Sequence, residues 1–164
     1  MKTPVLETDR LRLRPFRRED ARAVFDGWEQ DPDVARYMFW TSHHDIRKTE
    51  AWLDFGLGQI GKPDWYRFAV EENGSHTLVG TVLLYYETEL ACWEVGYNFA
   101  KAHWGRGYAT EAMAEVLAFA KAASGRVLEK LVFRFEKEIP YFCNDGTVLR
   151  QGVLCRLTLN ETET

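Results

Sequence analysis

The stretch that decides the fold of this chain is Trp104-Gly105-Arg106-Gly107-Tyr108-Ala109-Thr110-Glu111-Ala112, where a β-rich run ends and a helix-forming run begins. Glycine has no Cβ, so Gly105 and Gly107 let the backbone of such a turn approach a ligand closely. The first amide N–H groups of the following helix have no intrahelical acceptor, and the helix dipole adds positive charge there. Arg106 adds a planar cation that suits phosphate oxygens. The stretch therefore predicts a cradle for a phosphate or pyrophosphate.

Two common phosphate-binding motifs do not fit these residues. A P-loop would carry Lys-Ser or Lys-Thr after its second glycine, whereas Tyr108-Ala109 follows Gly107. The dinucleotide fingerprint lies early in a βαβ unit and has an acidic residue about 20 residues on. Glu129 is near that distance, but it lies inside a helical pattern. An ordinary helix start that contains glycines remains the alternative.

The stretch resembles the coenzyme A pyrophosphate loop of the GNAT superfamily of N-acetyltransferases, whose pattern is Gln/Arg-x-x-Gly-x-Gly/Ala. On residues 104–109, Gly107 and Ala109 match that pattern, and Trp104 replaces its first residue. The similarity runs from residue 5 to about 160 and is strongest to the RimJ/RimL group of ribosomal-protein N-terminal acetyltransferases. The segments similar to that group are 6–15, 93–97 and 127–131.

The resemblance implies an α+β fold of the GNAT-like acyl-CoA N-acyltransferase type, with a mixed, mostly antiparallel sheet flanked by helices. It implies acetyl transfer from acetyl-CoA to a primary amine, and a protein N-terminal amine is favoured over a small amine. Backbone N–H groups around Asn98 would hold the pantetheine arm and polarise the thioester carbonyl. The acetyl-CoA-binding residues implied are Tyr97, Asn98, Phe99, Trp104, Gly105, Arg106, Gly107, Tyr108, Ala109 and Thr110.

Two residues are candidates for the chemistry. Glu94 lies on the strand that resembles the one lining the active cleft of this superfamily, and its carboxylate is the candidate base, directly or through water. The alternative for Glu94 is a structural partner of a backbone amide or an arginine. Ser124 is the candidate near the departing sulfur, and the alternative for Ser124, which we favour, is a helix N-cap.

The chain reads as one domain spanning residues 1–164, without linkers, repeats or low-complexity runs. Alternation and turn signals predict the strands, and the 3.6-residue pattern predicts the helices. The predicted strands are one ending at Pro15 that takes in Val5, then 65–71, 78–86, 92–99, 133–142 and 148–159. The predicted helices are 19–28, a short one from Asp31, 45–57 and 109 to about 122.

The chain departs from the family after residue 122. Members of the superfamily place a strand and two loops between the pyrophosphate-loop helix and the next helix, which needs roughly 12–20 residues. Here Ala122 is followed almost at once by residues 124–128, so a fifth strand is expected to be missing. Either the two helices fuse, or Ser124-Gly125 separates them. An uncovered sheet edge invites pairing with another chain, so a homodimer that shares or swaps its C-terminal half is expected.

The same departure affects individual positions. Lys121 stands where the family often has Asn, Leu128 where many members have a tyrosine acid, and Val132 where a glycine is usual. These differences leave two alternatives to an active enzyme: an impaired coenzyme A-binding or regulatory module whose wall a second chain completes, or a damaged variant held together as an oligomer. Aromatic residues in segments 36–40 and 65–66 are candidates for the acceptor wall, although aromatic clusters are more often core.

Composition excludes other classes. A net charge of −4 argues against nucleic-acid binding. No apolar run approaches the roughly 18 residues of a spanning helix, so no membrane contact and a cytoplasmic location are expected. The three cysteines read as reduced thiols. The four histidines lack zinc-binding spacing, so no metal is expected.

Overall fold

The structure is a computed structural model that describes residues 2–36, 38–88, 92–123, 133–143 and 148–157. The strands in this part of the chain are β1 Leu6–Glu7, β2 Leu11–Pro15, β3 Trp65–Glu72, β4 Leu78–Glu87, β5 Cys92–Phe99, β6 Phe133–Cys143 and β7 Val148–Leu157. The α-helices are α1 Ala21–Val24, α2 Pro32–Ala35, α3 Ile46–Gly58 and α4 Tyr108–Ala123. Short 3₁₀ turns lie at Arg18–Asp20 and Lys101–His103, and a π-helical turn lies at Phe25–Glu29.

The main sheet has five antiparallel strands in the order β1-β2-β3-β4-β5, and β6 and β7 pair with each other in a second sheet. Short connections join β1 to β2, β3 to β4 and β4 to β5, whereas residues 16–64, which contain α1, α2 and α3, join β2 to β3. Gly74, with φ +86°, takes the left-handed conformation in the turn between β3 and β4. The prediction of an α+β fold with a mostly antiparallel sheet is therefore confirmed, and so is the hairpin near the C-terminal end of the sequence.

The prediction of one opening strand is right in its end at Pro15 and wrong in taking in Val5. The chain turns back at Thr8, whose N–H donates to the Leu11 carbonyl at 2.8 Å and whose Oγ1 accepts from the Leu11 N–H at 2.9 Å. These two bonds close a tight turn, so β1 and β2 form a hairpin in place of a single strand. Val5, Leu11 and Leu13 share one alternation that spans the polar residues 7–10, which is why the pattern alone did not reveal the turn.

The main sheet has a core on each face. On one face α4 packs against the sheet, and its buried Ala112 and Val116 lie in one cluster with Leu13, Phe68 and Val82. The opposite face packs against α1 and α3, in a cluster with residues such as Val24, Trp28, Leu53 and Ala69. Because successive strand side chains alternate between faces, each strand of the sheet contributes to two different environments.

The expected loss of a fifth strand rests on residues 124–132, which lie outside the described residues. Five strands in the main sheet do not show a missing strand, since the opening hairpin adds one to the expected number. Ser124, Leu128 and Val132, together with the choice between fused and separate helices, also lie outside the described residues. So does Tyr37 in the aromatic segment 36–40.

No helix among the described residues is long and apolar enough to cross a membrane.

Candidate functional site

The glycine turn, residues 104–107, connects the end of β5 to the start of α4. Gly105 and Gly107 have φ values of +74° and +77°, the left-handed region that other residues enter only with strain. The indole Nε1 of Trp104 donates to the Phe99 carbonyl at 2.7 Å, which ties the turn to the strand before it. Trp104 therefore has a structural contact at the position where the family pattern has Gln or Arg.

The start of α4 presents backbone N–H groups without acceptors in the helix. The first intrahelical bond runs from the Glu111 N–H to the Gly107 carbonyl at 3.1 Å. The N–H groups of Tyr108, Ala109 and Thr110 precede it, so they have no intrahelical acceptor and can donate to an anion. The dipole of this 16-residue helix favours negative charge at the same end.

Glu111 in the first turn of α4 fastens the helix start to the opening hairpin. Its carboxylate accepts from Thr8 Oγ1 at 2.6 Å, from the Arg10 N–H at 3.0 Å and from Arg10 Nε at 2.7 Å. Burial favours the neutral acid, but these hydrogen bonds outweigh it and lower the pKa of Glu111 overall. Arg10 also donates to the Arg106 carbonyl at 2.9 Å and lies over the Tyr108 ring at 4.8 Å. The glycine turn is thus held from outside through the Arg106 carbonyl, and of its own amides that of Trp104 donates to the Lys101 carbonyl at 3.1 Å.

A second contact holds Tyr108, the first residue of α4. Its hydroxyl donates to Glu72 on β3, and this bond lowers the pKa of Glu72, with Ser75 adding to the effect. The Tyr108 ring stacks on His103 with ring centroids 6.2 Å apart. Arg106 is half exposed and its Nη1 lies 3.6 Å from Glu72 Oε1, so its guanidinium remains close to the turn.

A cavity of about 350 Å³ lies where the glycine turn, α2 and the end of β5 meet. It brings together eight of the ten residues predicted to bind acetyl-CoA; Arg106 and Thr110 are the two that do not line it. The eight are Tyr97, Asn98, Phe99, Trp104, Gly105, Gly107, Tyr108 and Ala109. Asp33 and Val34 of α2, Met38 and His103 complete the lining.

The edge of β5 explains how a strand can contribute to this cavity. The Ala100 N–H donates to the Val79 carbonyl at 2.9 Å, and bonds along an antiparallel pair alternate. The Asn98 N–H is therefore turned towards β4, whereas the N–H groups of Tyr97 and Phe99 face away from it. The outward Phe99 carbonyl, which Trp104 occupies, agrees with this assignment. Of the backbone N–H groups predicted to hold the pantetheine arm, those of Tyr97 and Phe99 can therefore donate to a ligand, whereas that of Asn98 faces β4.

Glu94 lies on β5 opposite Tyr85 of β4. Counting along the strand places it on the face opposite to Val95 and Phe99, whose side chains pack towards α4. The Glu94 side chain is half-buried, and no hydrogen bond or ion pair joins it to another residue in the part of the chain that the structure describes. The alternative role of Glu94, a structural contact with an arginine or a backbone amide, would require such a partner, and the described residues provide none.

Several residues of this site were not among the predicted ones. Arg10, Glu72 and His103 surround the glycine turn, but they are far apart in sequence from the turn or belong to no motif. Only the three-dimensional pairing of β2, β3 and α4 brings them together. Among the described residues, no group of three His, Cys, Asp or Glu side chains is placed to hold a metal ion.

Comparison with known proteins identifies the family. The model of the family described as Acetyltransferase (GNAT) domain matches residues 10–138. The chain belongs to the GNAT acetyltransferase family. This GNAT domain is similar to an uncharacterized N-acetyltransferase, YoaA, of Bacillus subtilis (strain 168), with 29% identity over 125 residues that cover 74% of this chain and 69% of that protein.

Solved structures share the fold of this GNAT domain. One is the Salmonella typhimurium acetyl transferase that modifies the N-terminal serine of the 50S ribosomal subunit protein L7/L12, with a TM-score of 0.73, 12% identity, and coverage of 94% of this chain and 99% of that chain. Another is the Microcin C7 self immunity acetyltransferase MccE in complex with acetyl-CoA and AMP, with a TM-score of 0.64, 12% identity, and coverage of 92% and 94%.

Proposed function

We propose that this protein, as a single domain over residues 1–164, transfers the acetyl group of acetyl-CoA to a primary amine in the cytoplasm. The observation that carries the proposal is the cavity in which the glycine turn, the free amides of α4 and the outer edge of β5 meet. The first two features suit the pyrophosphate of acetyl-CoA, and the third suits its pantetheine arm. Family membership supports the reaction class, and a solved GNAT structure of the same fold contains acetyl-CoA.

The pyrophosphate of acetyl-CoA is assigned to the glycine turn. The N–H groups of Tyr108, Ala109 and Thr110 would donate to its oxygens, and Arg106 would add a cation from the rim. The two left-handed glycines keep Cβ atoms away from the path of the ligand. The pantetheine arm is assigned to the outer edge of β5, where the N–H groups of Tyr97 and Phe99 have no partner strand in the described sheet.

Glu94 is assigned the role of the base. The ammonium of the acceptor loses a proton to the Glu94 carboxylate, directly or through water, and the neutral amine attacks the thioester carbon. A C–N bond forms, the C–S bond breaks, and the sulfur leaves as a thiolate, which gains the second proton that the amine nitrogen loses on becoming an amide. The absence of a protein partner for Glu94 among the described residues supports this role, because a paired carboxylate would be less available. Ser124, the candidate near the sulfur, lies outside those residues.

For the acceptor we propose a protein N-terminal amine, with a small amine as the alternative. The resemblance to the RimJ/RimL group supports this choice, and the Salmonella structure with the same fold modifies an N-terminal serine. Phe39 is 66% exposed and Trp40 packs at the edge of the core that contains α3. Met38, which lines the cavity, connects this aromatic segment to the acetyl-CoA site.

A coenzyme A-binding module without turnover is the second candidate function. It is favoured by one observation: in the described sheet, β5 has a neighbour on one side only. With the strand after residue 122 missing, as the resemblance implies, a second chain would supply the opposite wall. We therefore also propose a homodimer that shares or swaps its C-terminal half. A light-scattering mass of one chain at micromolar concentration would contradict the dimer.

Two measurements on the same preparation test the enzyme against the module. Calorimetry measures acetyl-CoA binding, and a thiol-release assay measures turnover with a panel of peptides and small amines. Binding with turnover supports the enzyme, binding without turnover supports the module, and neither contradicts both. In Glu94→Gln, kcat is expected to fall by about 10²–10⁴-fold with acetyl-CoA affinity unchanged. Glu50→Gln, which changes an exposed carboxylate on α3, is the matched control and should retain full activity.

A further inference from the structure

Arg67 on β3 is a half-buried cation that forms no ion pair with a protein anion among the described residues. Its Nε is buried without a hydrogen-bond partner, and no ion pair or hydrogen bond joins the guanidinium to another described side chain. Burial lowers the pKa of Arg67 to about 10, which the negative charge of Glu29 partly offsets. The side chain is nevertheless cationic at neutral pH, so the fold keeps a charge that costs desolvation energy without a paired anion.

Two tryptophans hold this guanidinium in place. Its Cζ lies 4.6 Å from the centroid of the Trp52 ring on α3 and 5.4 Å from that of Trp65 on β3. A Cβ built on Gly56 would lie 3.7 Å from Arg67 Cδ, so α3 passes close over the side chain. Cation–π contacts use the charge of a guanidinium but none of its five N–H donors. The donors that remain are the feature that a planar anion recognises.

Arg67 and Glu94, the proposed base, lie in adjacent rows across the sheet. Arg67 pairs with Leu83 of β4, and Leu83 pairs with Gly96 of β5, so these residues form one row across the sheet. The adjacent row is Trp65, Tyr85 and Glu94. All of them lie on the same face, because positions two apart on a strand share a face.

The row that contains Arg67 is open at its far end. In the part of the chain that the structure describes, no heavy atom other than those of its chain neighbours lies within 4 Å of the Cβ position of Gly96, and Leu83 is only half-buried. Two strands of a sheet separated by one strand are about 10 Å apart. An extended acceptor advances about 3.3–3.6 Å per residue, so a group two or three residues from an amine at Glu94 reaches the level of Arg67.

We propose that Arg67, oriented by Trp52 and Trp65, binds a carboxylate of the acceptor, and that the acceptor is a peptide with an acidic side chain at its second or third position. This inference rests on the proposed function, since it takes the amine of the acceptor to lie at Glu94. It makes Arg67 a specificity-determining residue and assigns the face beneath α3 to acceptor recognition. The preference for an acidic peptide arises because a charge-assisted, bidentate contact forms only with a carboxylate.

The test compares peptide binding with and without the carboxylate. The probes are Ser-Asp-Asp-Ala-amide and the neutral Ser-Asn-Asn-Ala-amide, added to the protein saturated with a non-transferable analogue of acetyl-CoA. Tryptophan fluorescence reports binding without requiring turnover, because Trp52 and Trp65 contact Arg67. The wild-type protein is expected to bind the acidic peptide about 10- to 100-fold more tightly. The dipeptide Ser-Ala with a free C-terminal carboxylate shows whether a main-chain carboxylate is recognised equally well.

Variants complete the test. In Arg67→Gln the ratio of the two affinities should fall to about one, and in Arg22→Gln, an exposed arginine on α1, it should keep its wild-type value. Equal affinities in the wild-type protein, or a preference that survives in Arg67→Gln, would overturn the inference. If Arg67→Gln does not fold, Arg67→Lys replaces it and should lose most of the preference with its bidentate geometry. Failure of acetyl-CoA to bind would overturn the proposed function separately, since that titration contains no peptide.

Discussion

The Arg14 cluster and the glycine turn use polar groups in opposite ways. In the Arg14 cluster (Arg14, Asp20 and Glu71) the guanidinium makes four hydrogen bonds of 2.7–3.0 Å, two to Asp20, one to Glu71 and one to the Pro15 carbonyl, and its Nη2 forms an ion pair with Glu71 Oε1 at 2.6 Å. The arginine side chain is only 6% exposed, and its pKa is raised, mainly by the hydrogen bond to Asp20. In the glycine turn, residues 104–107, the N–H groups that follow at the start of α4 have no intrahelical acceptor.

The comparison indicates that the Arg14 cluster contributes to the stability of the fold, whereas the glycine turn contributes to ligand binding. A buried charge whose donors are all used contributes to the folded state and has nothing left to offer a ligand. Amides without acceptors contribute little to folding, but they are ready to bind an anion. Arg67 belongs with the turn in this respect, although it lies on the same sheet face as Arg14. The predictions below perturb one region and ask whether the other changes.

The largest effect is expected from Arg14→Met. Removing the arginine leaves Asp20 and Glu71 buried without their partner, so the free energy of unfolding should fall by about 3–5 kcal/mol. Urea denaturation measures this, with Arg22→Met as the control because the Arg22–Asp26 pair is exposed and should contribute within about 1 kcal/mol. Acetyl-CoA affinity of the folded variant should match the wild type. A large loss of affinity would mean that the two regions are not separate.

Gly107→Glu is expected to abolish acetyl-CoA binding, with affinity lower by at least about 100-fold, because it adds a side chain and a negative charge to the anion site. Gly107→Ala is the matched control. Its Cβ would lie 3.5 Å from Arg10 Nη2, an ordinary contact, so it tests mainly the cost of the left-handed conformation, about 1–2 kcal/mol of stability. Calorimetry and thermal unfolding separate the two effects. If Gly107→Glu bound acetyl-CoA with wild-type affinity, the assignment of the pyrophosphate to this turn would be wrong.

Arg106→Gln should weaken acetyl-CoA binding by up to about tenfold, because an exposed cation contributes modestly to an anion site. The difference from the wild type should shrink in high salt, which screens exposed charges. Thermal stability should hardly change. A calorimetric series at two salt concentrations measures this, and an Arg106→Gln affinity equal to the wild-type value in low salt would exclude Arg106 from the site.

Glu111→Gln should lower stability by about 1 kcal/mol at pH 7. The folded pKa of Glu111 lies below the ordinary carboxyl value of 4.5, so the ionised form stabilises the protein above pH 4.5. That contribution is lost as the pH falls through the lowered pKa. The stability difference between variant and wild type should therefore shrink below pH 4.5 in denaturation curves. A difference that grows on acidification would mean that Glu111 is not held ionised by Thr8 and Arg10.

Local patterns predicted most of the fold. Alternation, turn residues and the 3.6-residue period predicted a helix over 45–57, where α3 follows its N-cap Asp45, and a strand over 92–99, where β5 lies. The opening hairpin was missed because the alternation of Val5, Leu11 and Leu13 spans the polar residues 7–10, where the hydrogen bonds of Thr8 close the turn. The glycine turn was recognised because it is contiguous in sequence.

The rest of the site depends on contacts between distant segments. Glu111 meets Arg10 across about a hundred residues, and Tyr108 meets Glu72 through the pairing of strands. The direction of the Asn98 N–H follows from the register of β4 and β5. Arg67 belongs to no sequence motif, and what distinguishes it from Arg14 is that the described part of the fold brings no carboxylate into an ion pair with it. Pairing and its absence are properties of the folded chain, so local patterns do not predict them.

Amide hydrogen exchange, followed by mass spectrometry with and without saturating acetyl-CoA, tests the central claim most directly. If acetyl-CoA binds at the glycine turn and the outer edge of β5, exchange should slow in peptides covering residues 97–99 and 104–111, where free amides would gain acceptors. Exchange should be unchanged around Arg14 and Asp20, whose groups are already paired. Binding without protection at residues 104–111, or with protection mainly around the Arg14 cluster, would contradict the assignment of the glycine turn as the acetyl-CoA site.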